Sequence, residues 1–355
     1  MSGYPTSDDE RRVDCGRLLT FVQNVFERCD MEPADAGLLS DSLVSADLRG
    51  VHSHGLLRVP EYVGKLTTRG VNAKGRPRIV RESGAVLVVD GDNAMGQIAA
   101  SYAMDQAIER AQRNGVGVAA VRGSNHCGAM AYFAMQALPH DMIGIAATNA
   151  LPTMAPWGGL DKIVGINPMA AAVPTGEEPA IVLDAAFAGS SHGKIRVFQQ
   201  KGLDIPSHWA FDSNGAPTTD AAKAVEGLLQ PIGQFKGVGL AIVMGVLSSL
   251  LSGSAYGTEL GNMVDGAKPG QDGHFLLALN VDAFCPAEEL KRQADGVVRE
   301  IRESRAKDGV EHLYAPGGLE AATEARYRSE GIPLNNETVA GLVKSAEAVG
   351  APSQI

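Results

Sequence analysis

The chain has 355 residues, of which 41 are acidic and 31 basic, giving a net charge of -10; 45% are hydrophobic and 20% charged. That is the composition of a core-forming globular protein with room for two or three domains. The acidic balance, without any block of like charge, argues against a nucleic-acid partner, which needs a basic face, and against an anionic membrane surface.

Taken in order, Met1 to Arg12 is polar and has no apolar core of a secretory signal. Cys15, Cys29, Cys127 and Cys285 show no C-x-x-C spacing, so neither a disulfide framework nor a structural zinc site is expected, and a reducing cytoplasm fits. Leu18, Leu19, Val22, Val25 and Phe26 recur at helical spacing and predict a helix over 14–29. Glu32-Pro33 opens a second helix that runs to Leu48, with Leu38, Leu39, Leu43 and Ala46 on one face. Its end delivers Val51-His52-Ser53-His54-Gly55-Leu56-Leu57-Arg58 on a loop or helix start, and Pro60 suits the first turn of a third helix.

β structure is expected over 75–92, then an amphipathic helix over 95–114 with Asn114-Gly115 as its stop. Apolar strands follow at 116–121 and 142–148, and another at 180–183 that ends in Asp184. This strand, polar loop, helix rhythm is an α/β signal, and ligands in such sheets gather where strands end. Thr218-Thr219-Asp220 caps a helix, 273–281 is a strand, 287–305 a charged helix, and the tail from Asn335 is helical. The uncharged stretch Gly237 to Gly257 is long enough to span a bilayer, but its five glycines and four serines favour a buried, tightly packed helix.

The chemistry concentrates in the histidine stretch. An imidazole moves protons near neutral pH, with an unperturbed pKa of about 6.5, and a guanidinium grips a carboxylate with two parallel hydrogen bonds. His54 and Arg58 therefore suit a small carboxylate substrate. His52-Ser53-His54 also admits a metal pair, although no H-x-x-x-D or H-E-x-x-H partner accompanies it. His126 sits at a strand end in Ser124-Asn125-His126-Cys127-Gly128, where it reads as a structural histidine or as a second polar wall. A nucleophilic Cys127 is disfavoured, because adjacent residues rarely face each other. Asp184 reads as a helix or loop cap or as a paired carboxylate. No G-x-G-x-x-G opens a helix after a strand, and Gly189-Ser-Ser-His-Gly193-Lys194-Ile195 is only a near miss for a P-loop, though its backbone suits a cofactor phosphate. Lys236 opens the uncharged helix against its dipole, a place where an anionic phosphate offsets the charge.

Together these segments resemble the type-2 malate/L-lactate dehydrogenase-like family of NAD(P)-dependent oxidoreductases. The resemblance spans about residues 10–350 and rests on Ser53-His54-Gly55-Leu-Leu-Arg58, Ser124-Asn125-His126-Cys127-Gly128, Thr148-Asn149, Met154-Ala155-Pro156-Trp157-Gly158-Gly159, Gly165-Ile-Asn167-Pro168, Leu183-Asp184-Ala185-Ala186 with Gly193-Lys194-Ile195, Trp209-Ala-Phe-Asp212 with Pro217-Thr-Thr-Asp220, Phe235-Lys236-Gly237 and Gly273-His274-Phe275, in that order. It implies a three-layer, non-Rossmann α/β fold with a mixed, largely antiparallel sheet plus a helical subdomain, in a homodimer. The expected parts are a helical 1–72 carrying the catalytic histidine loop, an α/β substrate-side 73–125, an NAD(P)-binding 126–286, and a helical 287–355 packing back on the N-terminal part.

The implied activity is hydride transfer between NAD or NADP and C2 of a small 2-hydroxy or 2-oxo acid. His54 is the expected acid/base and His126 its runner-up, Ser53 orients the imidazole or the substrate, and Asp184 polarises a histidine or holds the nicotinamide carboxamide. Arg58, Tyr132, Thr148 and Asn149 are assigned to the substrate. His126, Asp184, Ala185, Ala186, Ser190, Lys194, Lys236, Gly237 and the turn Pro316-Gly317-Gly318 are assigned to the cofactor. No metal, nucleic acid or membrane partner is expected. Cyclic imino-acid reduction is the alternative within the class, and a metal hydrolase on His52, His54 and His126 the alternative outside it. Gly318 stands where the family has Glu, and Ala185-Ala186-Phe187-Ala188 where it has Met-Ala-Thr-Ser, which leaves NAD against NADP open.

Overall fold

Period-two alternation and β-branched residues make Val86–Asp90, Val116–Ser124 and Met142–Thr148 strands; Leu87, Val89, Val121 and Ala146 face one core. In the computed structural model these strands join Arg78–Ser83, Asp272–Asn280, Met169–Val173 and Ile181–Ala185 in one seven-stranded sheet. The order is Arg78–Ser83, Val86–Asp90, Val116–Ser124, Asp272–Asn280, Met142–Thr148, Met169–Val173, Ile181–Ala185. Only the Val86–Asp90 and Val116–Ser124 pair is parallel, joined by the helix Gly96–Asn114; every other pairing is antiparallel. The late strand Asp272–Asn280 enters the middle of the sheet, which sets His274 opposite both Val121 and Thr148. Helices Gly96–Asn114 and Met130–Ala134 pack on one face, and the helix starting at Phe235 approaches from the other, giving three layers. The structure describes residues 10–355; residues 1–9, most of the polar N-terminal segment, lie outside the described residues.

Two further cores flank the sheet. In the first, Leu18, Phe26, Leu39, Leu43, Leu56 and Tyr62 pack with Leu342 and Ala346 of the helix Asn336–Val349. The strand Arg11–Val13 pairs antiparallel with Ile332–Leu334 and closes this helical unit. In the second, Met154, Ile195, Trp209 and Ala241 unite two short hairpin-like sheets with helices His192–Gln200 and Ala221–Glu226. The helix Ala287–Glu303 packs against the turn at 176–178: Asp295 accepts the N–H groups of Gly176, Glu177 and Glu178, and Arg299 pairs with Glu178.

The uncharged stretch differs from expectation. It is a helix over Phe235–Gly245 that continues as one wider π-helical turn, Val246–Leu250, and then leaves helical geometry. Only one side is buried. Leu240, Val243, Leu250 and Leu251 are about half exposed (46%, 52%, 56% and 55%), because the sheet beneath covers one side of the helix. Among the described residues no helix is long and apolar enough to cross a membrane.

Candidate active site

The histidine stretch is built off the end of the helix Pro33–Leu48. Leu39, Leu43 and Asp47 follow one another at four-residue spacing, so Asp47 lies on the buried face. Its carboxylate takes His52 Nδ1 at 2.6 Å on Oδ1 and the Leu56 N–H at 2.7 Å on Oδ2. Gly55 makes this possible: a Cβ there would sit 2.3 Å from the Asp47 carboxyl. The chain thereby folds into two short 3-10 turns, His52–His54 and Leu56–Arg58, before the helix Val59–Thr67. Burial opposes protonation of His52, but the hydrogen bond and charge of Asp47 outweigh it and raise its pKa.

Within these turns Ser53 Oγ lies 2.9 Å from His54 Nδ1. Arg58 Nε donates to the Ser53 carbonyl at 2.8 Å, and Nη1 to Glu61 at 2.8 Å. Gly193, in the first turn of the helix His192–Gln200, lies near the Arg58 guanidinium: a Cβ there would sit 3.9 Å from Nη2. From the end of the strand Val116–Ser124, His126 stacks on His54, with ring centroids 5.7 Å apart and planes 10° from parallel. His126 Nδ1 meets the Tyr62 hydroxyl at 2.7 Å, and Gln97 Nε2 donates to that hydroxyl at 3.1 Å.

Electrostatics depart from an ordinary imidazole. Burial, then the Arg58 charge, pushes the His54 pKa down to about 3, against the unperturbed value of about 6.5 expected of it. Burial, then Arg58, His54 and His274, hold His126 well below its usual range. Both rings are therefore neutral bases at neutral pH. Burial pushes the Cys127 thiol far up, which keeps it protonated and inert.

Other assigned residues serve internal bonds. His274, fully buried, joins Ser124 Oγ through Nε2 and Thr148 Oγ1 through Nδ1, each at 2.8 Å, and so ties two strand ends together. Asn149 Nδ2 donates to Ser249 Oγ at 2.8 Å and to the Ala255 carbonyl at 3.0 Å, while Oδ1 accepts the Gly273 N–H at 3.2 Å. Tyr132 donates to Asp41 on the Pro33–Leu48 helix at 2.7 Å. Asp184 accepts the Ala131 N–H at 2.8 Å, as in the cap that is one of its two readings, and makes no hydrogen bond to a histidine among the described residues. Protein crowds the Asp184 carboxyl from one side, raising its pKa to about 6, although its other side is open to solvent.

Three backbone segments converge beyond Asp184. Ala185 and Ala186 lead to Phe187, whose N–H bonds the Ile166 carbonyl at 3.2 Å and whose carbonyl accepts the Ile232 N–H at 3.0 Å. Ser191 caps the helix His192–Gln200 by accepting the Lys194 N–H at 3.2 Å, and the Lys194 ammonium lies 4.9 Å over the Trp209 ring. Lys236 opens the helix Phe235–Gly245, and Gly237 lets that helix press on the Ile232 and Phe187 carbonyls, which a Cβ would meet at 2.2 and 3.0 Å. The Pro316 carbonyl bonds the Val182 N–H at 2.9 Å, so Gly317 and Gly318, which start the helix Gly318–Glu330, lie beside the same strand.

The buried Ser190 Oγ has no partner among the described residues and sits next to the start of the His192–Gln200 helix. An orphaned hydroxyl beside the N-terminus of a helix fits a dinucleotide phosphate. Among the described residues no three His, Cys, Asp or Glu side chains group to hold a metal ion. The sequence passed over Asp47, Tyr62 and Gln97. A carboxylate continuing the Leu39, Leu43 face was the one legible signal among them.

A mostly antiparallel sheet with an arginine beside two stacked imidazoles, and no G-x-G-x-x-G loop in the sequence, fits the class of dehydrogenases built outside the Rossmann plan. Residues 13–343 match the model of the malate/L-lactate dehydrogenase family. The chain is 35% identical over 347 residues to a malate dehydrogenase of Pyrococcus abyssi, covering 96% of this chain and 95% of the relative. It superposes on the sulfolactate dehydrogenase of Methanocaldococcus jannaschii with a TM-score of 0.89 at 35% identity, over 96% and 98% of the two chains. On the malate dehydrogenase of Pyrococcus horikoshii the TM-score is 0.91 at 31% identity, over the whole of both chains. The chain belongs to the malate/L-lactate dehydrogenase family and is a hydroxyacid dehydrogenase. That membership implies a nicotinamide cofactor and small carboxylate substrates.

Proposed function

We propose that the enzyme exchanges hydride between NAD or NADP and C2 of a small 2-hydroxy or 2-oxo acid of the malate or lactate type, with His54 as acid/base and Arg58 as carboxylate clamp. The observation that carries this reading is the 3-10 loop, where the Ser53–His54 hydrogen bond and the Arg58 tether to the Ser53 carbonyl hold imidazole and guanidinium as one unit. In oxidation, neutral His54 takes the hydroxyl proton on Nε2, with its Nδ1–H turned to Ser53 Oγ. In reduction the imidazolium returns that proton to the C2 oxygen. A substrate carboxylate on Arg58 offsets the charge that depresses His54, so acid binding raises its basicity in the complex. Tyr132, Thr148 and Asn149 act through the walls they brace.

When bound, the nicotinamide dinucleotide accepts or supplies the hydride. Asp184, Ala185, Ala186, Ser190, Lys194, Lys236, Gly237, Pro316, Gly317 and Gly318 would hold it. The half-exposed face of Leu240, Val243, Leu250 and Leu251 supports a homodimer closed over that helix. Four free cysteines suit a reducing cytoplasm.

A panel of malate, lactate, sulfolactate and their 2-oxo forms, with a cyclic imino acid added, each with NADH and NADPH, tests the substrate. His54→Ala is expected to lose turnover with cofactor affinity kept. Turnover that survives it sinks the role of His54, turnover confined to the imino acid moves the substrate to that class, and loss of activity to a chelator points to the metal hydrolase instead.

A further inference from the structure

His126 is held from behind by two side chains that take no part in the proposed chemistry. Tyr62 and Gln97 are both fully buried. One end of the Gln97 amide faces the Tyr62 oxygen at 3.1 Å, and the other end, Oε1, has no partner among the described residues. Turning the amide over would leave an NH2 with two hydrogens unpaired in place of a carbonyl oxygen. Buried orphan donors are rarer than under-used acceptors, so the amino end belongs at Tyr62.

The rest follows from counting hydrogens. A phenol has one hydrogen to give. Its oxygen accepts from Gln97, and the only other hydrogen-bond partner it has among the described residues is His126 Nδ1 at 2.7 Å. Any other direction would bury an unpaired donor. A ring nitrogen that accepts carries no hydrogen, and His126 is neutral, so its single N–H lies on the other nitrogen. Nε2 has no hydrogen-bond partner among the described residues, and the ring that bears it lies parallel to His54.

We infer that Gln97 and Tyr62 lock His126 in the Nε2–H tautomer, which makes it a fixed hydrogen-bond donor to the C2 oxygen of the substrate and leaves proton transfer to His54. The identity of that oxygen rests on the function proposed above; the tautomer does not. A donor of this kind polarises the 2-oxo group before hydride arrives and holds the hydroxyl of the 2-hydroxy acid toward His54. A relay through Tyr62 is closed. If Nε2 released its proton while the phenol refilled Nδ1, a buried phenolate would remain, and burial already drives the Tyr62 pKa far up.

Nitrogen-15 histidine labelling of the full chain tests this without any turnover. With His126 assigned by comparison with His126→Gln, long-range proton–nitrogen correlations near pH 7 are expected to show a pyridine-like Nδ1 and a pyrrole-like Nε2. The reverse pattern, or an exchange-averaged pair, overturns the inference. Tyr62→Phe is expected to release the ring into a mixture of tautomers. It should lower kcat/KM for the 2-oxo acid about 10–100-fold, the usual cost of removing an orienting partner, with cofactor affinity and the acid limb of His54 unmoved. An unchanged His126 spectrum in Tyr62→Phe also overturns it. If the tautomer stands while His54→Ala still turns over, the proton-transfer role fails and the locked donor remains.

Discussion

Replacing Asp47 probes how the loop is held. The carboxylate is 2% exposed and holds both 3-10 turns, through His52 and through the Leu56 N–H. In Asp47→Ala the Leu56 N–H is left buried and unpaired, and the His52 partner is lost. Removing one member of a buried charged pair costs about 3–5 kcal/mol, which for a chain of this size lowers Tm on the order of 5–10 °C. Asp47→Asn keeps an acceptor for Leu56 and loses only the charge-assisted bond, about 1.5–3 kcal/mol.

The pH dependence carries the sign. The folded pKa of His52 is raised, against its burial, by Asp47. Its contribution is therefore fully present below the unfolded value of about 6.5 and fades as pH rises through the folded value. Calorimetry of wild type and Asp47→Asn should show a Tm gap that is wider at pH 6 than at pH 9. Because Ser53, His54 and Arg58 ride on the same turns, kcat should fall about 10²-fold, the effect of a small misplacement of reacting groups, with cofactor affinity kept. A Tm gap independent of pH, or wider at pH 9, would refute the pairing. A stability loss with kcat untouched would refute the link between Asp47 and the site.

Since His54 is held near pKa 3 in the free enzyme, kcat/KM for hydroxyacid oxidation should show no loss near pH 6.5, where an ordinary imidazole is half protonated. For the same reason kcat/KM for 2-oxo acid reduction should fall about tenfold per pH unit between roughly pH 5 and 8; steady-state profiles in both directions check the pair. Arg58→Gln should raise KM for the acid about 10²-fold, from the loss of charged hydrogen bonds of 1.5–3 kcal/mol each, and should shift the acid limb of oxidation upward as the depressing charge disappears. Val243→Glu with Leu250→Glu, both on the half-exposed helix face, should convert a dimer to monomers in sedimentation; an unchanged sedimentation coefficient would place the interface elsewhere.

Much of the scaffold was legible because local patterning and packing agree. Met142–Thr148 is strand where its apolar run predicts one, and Asp220 caps the helix Ala221–Glu226 by accepting the Ala222 and Lys223 N–H groups. The pairing partners were not legible. That Asp272–Asn280 enters between two earlier strands is a long-range choice, and it turns His274 from one motif residue among many into the clasp of Ser124 and Thr148. The uncharged stretch misled for a physical reason: lack of charge tells that a face avoids water, but not whether this chain's own sheet or another surface covers it.

At the site, residue types showed the chemistry and tertiary packing set its terms. Sequence spacing could bring His54 and Arg58 together, since only four positions separate them on two successive short turns. It could not show that His126, far along the chain, would stack on His54, or that burial and then Arg58 would depress both rings. The choice between the two histidines therefore never lay in their own neighbourhoods. It lies in what stands behind each ring: a rotatable serine hydroxyl behind His54 and a buried phenol tied to an amide behind His126. A hydroxyl that can both give and accept lets its imidazole take up and release a proton, whereas a phenol with one committed hydrogen holds its imidazole in a single form.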